Sequence, residues 1–472
     1  MAALALVLAG FWFVSQLTVA TWLAREAGQR QADWSQGLSP WRWDFRDPSS
    51  VVRHGSHGLD AATLTPDGLD ITLPDDGVAS LSLNLRGAQV DAGAVRRVHI
   101  EANGDAPLRM MLLAGADGAI STWIDVAHAP GWRAQDADLP ALDALRPGAL
   151  PPLQALHLRI ESAPGARLRL HRLELRALPC TAPACPGHRL AAPPFATPER
   201  LLAHRDRALA QWPALAIEAG GWFGAAGRGL AGLVQPLPAL WRGLPGAAAL
   251  LILFALARRR AARRMQPEAF FHPCIELALA LGLPLALLLA GWPARETPAA
   301  VTLAFAGSLL ALALFPIREP VRWRWLGDRH AWAAALIFTA LAVLMTAPLG
   351  AIDGGTATAR DPSRILRYPL WALLQQGLLL AAIAPRLRQL VPDERLAALA
   401  CGTVFGLLHA PNLALMIFTL IGGTAWAWLG WRHRALLPLA ASHAVLGLWL
   451  THIAPTWLLR SAEIGARYLM AP

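Results

Sequence analysis

The chain is poor in charged residues, and it contains no lysine, so every fixed positive side chain is an arginine. Charged residues make up 16% of the 472 positions, whereas 55% are hydrophobic. Soluble domains carry about 25% charged residues, so this composition excludes an ordinary soluble protein. Several apolar runs reach the roughly 20 residues that a helix needs to cross a bilayer, which predicts a membrane protein. We attribute the missing lysine to coding bias in an alanine-rich chain.

Cysteine is also scarce, with four residues in the whole chain. They lack the close pairs and histidines of a zinc site, so we predict no metal and no cofactor. Cys180 and Cys185 frame the polar motif CTAPAC, where a small disulfide is expected if the segment is extracytoplasmic. Two free thiols in a linker are the alternative interpretation.

The net charge of +10 raises the question of nucleic acid as a partner. The arginines, however, cluster at the ends of apolar runs, where the signals that orient membrane helices belong. The composition therefore predicts the lipid bilayer as a partner, and no nucleic acid.

Residues 35–178 show alternating rather than continuous apolarity, in segments such as LDITL, ASLSLNL and ARLRLHRLELRAL. Turn signals such as PDG, NGD and SAPGA separate them, a spacing typical of a β-sandwich or jelly roll. The leucine alternation slips by one position between Leu170 and Leu173, which predicts a β-bulge. In strand pattern and in its aromatic opening, WRWDF at Trp41 to Phe45, the segment resembles galactose-binding-like sandwiches. Those aromatics either stack on a glycan or belong to the core.

The rest of the chain predicts an α-helical polytopic membrane bundle of about nine spans. Residues 1–23 form an anchor helix, and residues 179–235 form a Pro/Ala-rich connector with one amphipathic helix, PERLLAHRDRALAQW. Residues 238–455 contain eight further apolar runs, and residues 456–472 form a tail. The arginine run RRRAARR and later arginine-rich loops mark cytoplasmic ends. We therefore predict a multi-pass inner (plasma) membrane protein with a cytoplasmic N-terminus and an extracytoplasmic, periplasmic β-sandwich.

Polar side chains within the late apolar runs form a set of candidate site residues: Gln375, Gln376, His409, Asn412 and His443. At 1.5 Å per residue, Gln376 and His443 fall roughly 15 Å from the inner surface, and His409 roughly 20 Å. Polar groups are costly in lipid and usually face a cavity or a bundle interior, so we predict a shared polar pocket. Pro411 cannot donate a backbone hydrogen bond, so the helix is predicted to end or kink beside His409.

Residues 365–455 resemble the CAAX prenyl protease type II-like, or CPBP, intramembrane proteases. The EExxxR motif of that family falls on Gln375, Gln376 and Leu380 of this chain. The FxxxH motif is matched by Phe405 and His409.

A late-helix histidine of the family is matched by His443, but Gly447 stands where the family has Asn or Asp. The resemblance implies an intramembrane endopeptidase that acts on a membrane-associated or exported peptide. It implies catalytic positions at Gln375, Gln376, His409 and His443. Support of the substrate or oxyanion is expected from Phe405 and Asn412.

The departures from the family pattern leave several functions open. A glutamine amide cannot accept the proton that a catalytic glutamate takes, so hydrolysis is expected to be impaired or to use His409 or His443 as base. Glu276 is another candidate base, or an interfacial glutamate that reaches water or an arginine. A pseudoprotease would bind a peptide or lipid without cutting it, with a glycan or partner on the β-sandwich. A further alternative is that the two histidines serve only as structural hydrogen-bonding groups between helices. A transporter is the last alternative, because few charges lie in the spans.

Overall fold

The computed structural model describes residues 2–36, 41–47, 50–59, 62–84, 97–114, 120–126, 133–138, 156–176, 189–192, 197–211, 216–234, 242–263, 272–291, 299–318, 320–351, 363–459 and 462–470. The chain divides into two compact units. The helical unit contains Met1–Leu23, Pro193–Ala203 and Ala219–Pro472. The sandwich unit contains Ala24–Ala192 and His204–Glu218.

The sandwich unit is built from antiparallel strands: β1 (Arg42–Asp44), β2 (Val51–His57), β3 (Thr63–Thr65), β4 (Gly68–Thr72), β5 (Val78–Leu83), β6 (Arg97–Gly104), β7 (Leu108–Ala114), β8 (Ile120–Val126), β9 (Arg133–Asp138), β10 (Leu156–Glu161) and β11 (Arg167–Arg176). One sheet has the order β3-β4-β11-β6-β9, with β1 also paired to β11. The other has the order β2-β5-β10-β7-β8. Because inward residues of both sheets join one buried cluster, the unit is a β-sandwich, as predicted.

Alternation places one face of each strand in the core. On β10 the buried residues are Leu156, Leu158 and Ile160, with polar residues between them. On β11 the register with β6 shifts between Leu170 and Arg172, which confirms the predicted bulge. The bulge turns Leu173 back toward the core, where it is fully buried.

The aromatic opening of the sandwich belongs to its core. Trp41, Trp43 and Phe45 are buried within the cluster that joins the two sheets. The Trp43 indole N–H donates to the backbone oxygen of Asn84 at 2.9 Å. Of the two interpretations of these aromatics, the structure selects the core, so they do not form a sugar-stacking surface.

Two short strands and two helices follow the sandwich strands. Strands β12 (Arg189–Ala192) and β13 (Ala216–Ala219) pair with each other. Helix α2 (Pro198–Gln211) coincides with the predicted amphipathic segment, whereas α3 (Gly221–Val234) lies in what the sequence predicted to be connector. The predicted disulfide pair, Cys180 and Cys185, lies outside the described residues.

The other helices are α1 (Ala2–Ser35), α4 (Leu244–Ala262), α5 (Pro273–Leu289), α6 (Ala299–Leu314), α7 (Arg329–Thr346), α8 (Ser363–Gly377), α9 (Ala384–Leu390), α10 (Glu394–Leu407), α11 (Leu413–His433), α12 (Leu437–Ile453), α13 (Thr456–Leu459) and α14 (Gly465–Met470). A 3-10 segment, Ala347–Ala351, follows α7. A π-helical segment, Leu378–Ile383, joins α8 to α9. Helix α1 continues past the predicted end of the anchor because the polar segment after Leu23 also favours a helix.

Four stretches of the described chain are long and apolar enough to cross a membrane: Ala2–Asp33, Arg329–Ala351, Arg367–Leu390 and Leu413–His433. Shorter apolar helices are α5, α6 and α12. These helices identify a membrane protein. The number of nine spans and the orientation in the membrane stay predictions.

Candidate functional site

Helix α8 carries Gln376 to the interior of the helical unit. The side chain of Gln376 is fully buried, at 0% exposure, two residues before the π-helical segment Leu378–Ile383 begins. Insertions of this kind often occur at functional sites, because they rotate the following residues relative to a regular helix. Gln375 is only half-buried, since successive residues of a helix point about 100° apart. The two glutamines therefore do not enter the interior together.

Gln376 is hydrogen-bonded to His443 of α12. Its amide nitrogen Nε2 lies 3.3 Å from the imidazole Nδ1, so the amide N–H donates and Nδ1 accepts. Neutral His443 then carries its proton on Nε2. The amide oxygen Oε1 of Gln376 is buried and has no hydrogen-bond partner among the described residues. An unsatisfied buried acceptor is costly, so this oxygen is suited to a ligand or water that donates a hydrogen.

Aromatic side chains enclose the imidazole of His443. The ring centroids of Trp426 and Phe405 lie 4.7 and 5.6 Å from that of the imidazole. Tyr368 closes a further side at 6.2 Å, with its ring nearly perpendicular. These contacts fix the orientation of the imidazole and shield it from solvent.

Next to His443, a hydroxyl links two further helices. The hydroxyl of Ser442 accepts hydrogen bonds from Trp426 Nε1 at 3.1 Å and from the Thr339 hydroxyl at 2.8 Å. Sequence reasoning missed Ser442, Trp426 and Tyr368, because a hydroxyl or a ring in an apolar run gives no signal of its partner.

His409 lies in the turn after α10, which ends at Leu407 as the position of Pro411 predicted. The imidazole Nδ1–H donates to the backbone oxygen of Phe405 at 2.7 Å. This bond fixes the tautomer, so Nε2 keeps a lone pair that can accept a proton. The ring also packs on the side chain of Phe405 at 4.9 Å. Since the imidazole of His443 touches the same Phe405 ring, the structure brings both histidines and Gln376 into one cluster.

Asn412 has a different environment from the histidines. Its amide nitrogen donates to the backbone oxygens of Leu459 at 2.8 Å and Glu463 at 3.2 Å. Its side-chain oxygen accepts from the Leu415 N–H and caps the N-terminus of α11. Asn412 thus ties the turn after His409 to the C-terminal segment, and these bonds use both ends of its amide.

Helix α1 also supports this turn, although the sequence predicted only an anchor. Phe11 packs with Ala410 and Met416 in a buried cluster. The hydroxyl of Ser15 donates to the backbone oxygen of Pro411. The anchor helix is therefore part of the wall that holds the His409 turn.

Glu276 is paired with two arginines and not with the histidines. One carboxylate oxygen accepts from Arg386 Nε at 2.6 Å, and the other lies 2.8 Å from Arg258 Nη2. Arg386 also donates to the backbone oxygens of Ala382 and Phe315. Glu276 thus reaches arginines, as one of the two interpretations predicted. Both arginines belong to clusters that were predicted to mark cytoplasmic ends. Their side chains are nevertheless buried, and they neutralise the buried carboxylate of Glu276.

Gly447 leaves room for Tyr368 one turn beyond His443. A Cβ atom at position 447 would overlap the hydroxyl of Tyr368. The position where the resemblance implies Asn or Asp is therefore filled by a tyrosine from α8.

The described residues contain no group of three or more His, Cys, Asp or Glu side chains arranged to hold a metal ion. Cys274 and Cys401 are free, and Cys401 is buried. The chain is thus a membrane protein that combines a β-sandwich unit with a helical unit. Within the helical unit, the amide of Gln376 and the imidazoles of His409 and His443 meet among aromatic rings.

Comparisons with known proteins found likenesses of structure only: no family model and no curated protein match the chain. One similar structure is TmCBM61 in complex with beta-1,4-galactotriose, at 15% identity and a TM-score of 0.18, over 30% of this chain and 92% of that chain. Another is a family two carbohydrate esterase from Cellvibrio japonicus, at 14% identity and a TM-score of 0.17, over 38% of this chain and 50% of that chain. TM-scores this low carry no argument about function.

Proposed function

We propose that the helical unit is a CPBP-like intramembrane peptide site with impaired hydrolytic activity. Its substrate would be a membrane-associated or exported peptide. The observation that carries the proposal is the hydrogen bond between Gln376 and His443, together with the contacts of both imidazoles with Phe405. The resemblance implies a site at these positions, which lie on helices far apart in the sequence.

A hydrolytic step at this site would use His409 as the base. Its Nε2 has the free lone pair, because Nδ1 carries the proton that bonds to Phe405. The base would take a proton from a water whose oxygen attacks the peptide carbonyl carbon, and it would return that proton to the leaving amine nitrogen. The Nε2–H of His443 would donate to the carbonyl oxygen as negative charge develops. Glu276 does not compete for this role, because two arginines bind it.

The test is cleavage of membrane-anchored peptides by the purified protein in proteoliposomes. His409→Ala and His443→Ala should each lower the cleavage rate by about 10²–10⁴. His452→Ala is the matched control, since His452 lies on α12 but is exposed. If the two site variants cleave as fast as the control, the proposed site is wrong.

A second candidate is a pseudoprotease that binds a peptide or lipid without cutting it. The amide at position 376 favours this function, because it cannot accept a proton from water. Binding would then use the acceptor Oε1 of Gln376, which has no partner in the part of the chain that the structure describes and suits the N–H or O–H of a ligand.

Restoring a carboxylate distinguishes the two candidates. Cleavage that appears only in Gln376→Glu would support the pseudoprotease, whereas strong cleavage by the unmodified chain would reject it. Gln375→Glu is the control for added charge, because Gln375 is only half-buried.

We further propose an extracytoplasmic location for the sandwich unit, on the arginine pattern of the helix ends. A glycan or protein partner of this unit would need a surface other than the buried aromatics of its first strand. Protease protection of the unit in sealed, right-side-out vesicles tests the location: cleavage by added protease is expected, and full protection would contradict it.

A further inference from the structure

An aromatic patch joins α1 and α3. The name denotes the rings of Trp12, Phe13, Trp222 and Phe223. Ring centroids are 5.3 Å apart for Trp12 and Phe223, and 5.7 Å apart for Phe13 and Trp222. The two rings from α3 also contact each other at 5.2 Å. The four rings therefore form one continuous surface.

Direct backbone contact holds α3 against α1. At Gly227, an added Cβ would lie 2.7 Å from the carbonyl carbon and oxygen of Ala20, closer than real Cβ contacts. Apolar helices pack through small residues in this way in lipid, where van der Waals contact drives their association. The aromatic patch thus has a fixed position in the helical unit.

The outward stripe of α3 is apolar. Trp222 is 63% exposed and Leu233 is 74% exposed, and they lie on the same face about three helical turns apart. Ala225 and Gly229 lie between them and are exposed too. A helix that faces water shows several polar residues on its outer stripe, whereas α3 contains a single charged residue, Arg228, which is exposed at the edge of this stripe.

The same exposed surface continues along α1. Leu6, Trp12 and Phe13 are exposed on this helix, and α1 contains one of the candidate membrane spans. Trp12 and Phe13 lie near the middle of the predicted anchor, residues 1–23, and Gly227 contacts Ala20, so α3 runs alongside this span. We propose that the aromatic patch and the outward stripe of α3 contact lipid chains, so that α3 is embedded in the membrane beside α1.

The test measures the surroundings of α3 in the full chain, reconstituted in phosphatidylcholine vesicles. The native cysteines are replaced by serine, and Trp222→Cys carries the environment-sensitive fluorophore NBD. Ala163→Cys, in an exposed turn of the sandwich unit, is the matched control. Quenching is compared between lipids with a nitroxide near the head group, lipids with a nitroxide at the chain end, and aqueous iodide.

We expect the deep nitroxide to quench the label at position 222 roughly twofold or more, with a weaker effect of the shallow one and little effect of iodide, because position 222 lies level with the middle of the anchor. The control should respond to iodide alone. Equal iodide quenching at both positions would show that α3 faces water, and the proposal would be wrong. Protection from all three quenchers would show that protein, such as a second copy of the chain, covers the stripe, and would also reject it.

Leu233→Cys supplies a second position on the same face if Trp222→Cys does not fold. Quenching by the nitroxide lipids with little effect of iodide is expected there too, but the shallow nitroxide should quench more strongly, because Leu233 lies roughly three turns further along the anchor. Iodide quenching of this label equal to that of the control would again reject lipid contact.

Discussion

The two units of this protein treat charge in opposite ways. On the strands of the sandwich unit, arginines pair with carboxylates on the outer faces, as Arg169 does with Asp70, and the arginine side chains stay partly in water. In the helical unit, the side chains of Arg386 and Glu276 are 1% and 5% exposed. Exposed pairs contribute little to stability, whereas a buried charge that loses its partner is strongly destabilising. Breaking an ion pair is therefore expected to cost little stability on the strands of the sandwich unit and much stability inside the helical unit.

Packing differs between the units as well. The core of the sandwich consists of large aliphatic and aromatic side chains from two sheets. In the helical unit, α10 and α11 approach through glycines: Gly423 lies against Gly402, and a Cβ on Gly402 would overlap Leu420 and Thr424. The sandwich is therefore sensitive to lost volume, and the helices are sensitive to added volume.

The largest expected effect follows the removal of the buried carboxylate. Glu276→Gln leaves two buried guanidinium groups without a counter-charge, so the helical unit should lose about 3–5 kcal/mol of stability. Denaturant unfolding in detergent micelles measures the loss. Glu161→Gln, which breaks an exposed pair with Arg159, should change stability by less than about 0.5 kcal/mol. Equal losses in the two variants would contradict the contrast between the units.

A smaller effect is expected from one added methyl group. Gly402→Ala should destabilise the helical unit by about 1–3 kcal/mol, because the methyl group would push α11 away. Gly282→Ala is the matched control, since nothing lies within 4 Å of its added Cβ and alanine favours a helix. Thermal unfolding of the purified variants checks the pair. If both variants unfold at the same temperature, close helix contact at Gly402 is not important for stability.

The smallest effect concerns acid. The hydrogen bond from the Arg46 side chain lowers the pKa of Asp44 from 3.8 to about 2. A carboxylate with a lowered pKa stabilises the fold above pH 3.8 and loses this contribution as the pH falls toward 2. Hydrogen exchange near β1 should therefore speed up over this interval. In Asp44→Asn the acceleration should be smaller, and an unchanged acceleration would show that Asp44 is not responsible.

Local signals explain what could be predicted from the amino-acid sequence. Alternating leucines predicted the strands β10 and β11 and the bulge at Leu170, because strand periodicity is a property of neighbouring residues. Pro411 predicted the end of α10, because proline has no N–H to donate. Of the polar residues predicted to share a pocket, Gln376, His409 and His443 meet in the structure. The prediction rested on cost, since lipid excludes unpaired polar groups.

Partners far apart in the chain explain what could not be predicted. Arg386 and Glu276 are 110 positions apart, and their sequence gives no sign that they pair inside the protein. The sequence around Asn412 likewise gives no sign of its bonds to Leu459 and Glu463. Helix α3 looked like connector because its composition is rich in small residues, and its contact with α1 depends on the backbone approach at Gly227.

Amino-acid order by itself determined the division into alternating and continuously apolar segments, and with it the β-sandwich and the membrane helices, because periodicity and hydropathy act locally. Tertiary structure alone decided which polar groups share a site and which are neutralised elsewhere. Gln376 meets His443, whereas Glu276 meets two arginines. The physical reason is that hydrogen bonds and ion pairs need atoms within about 3–4 Å, and only the packing of distant helices supplies that proximity.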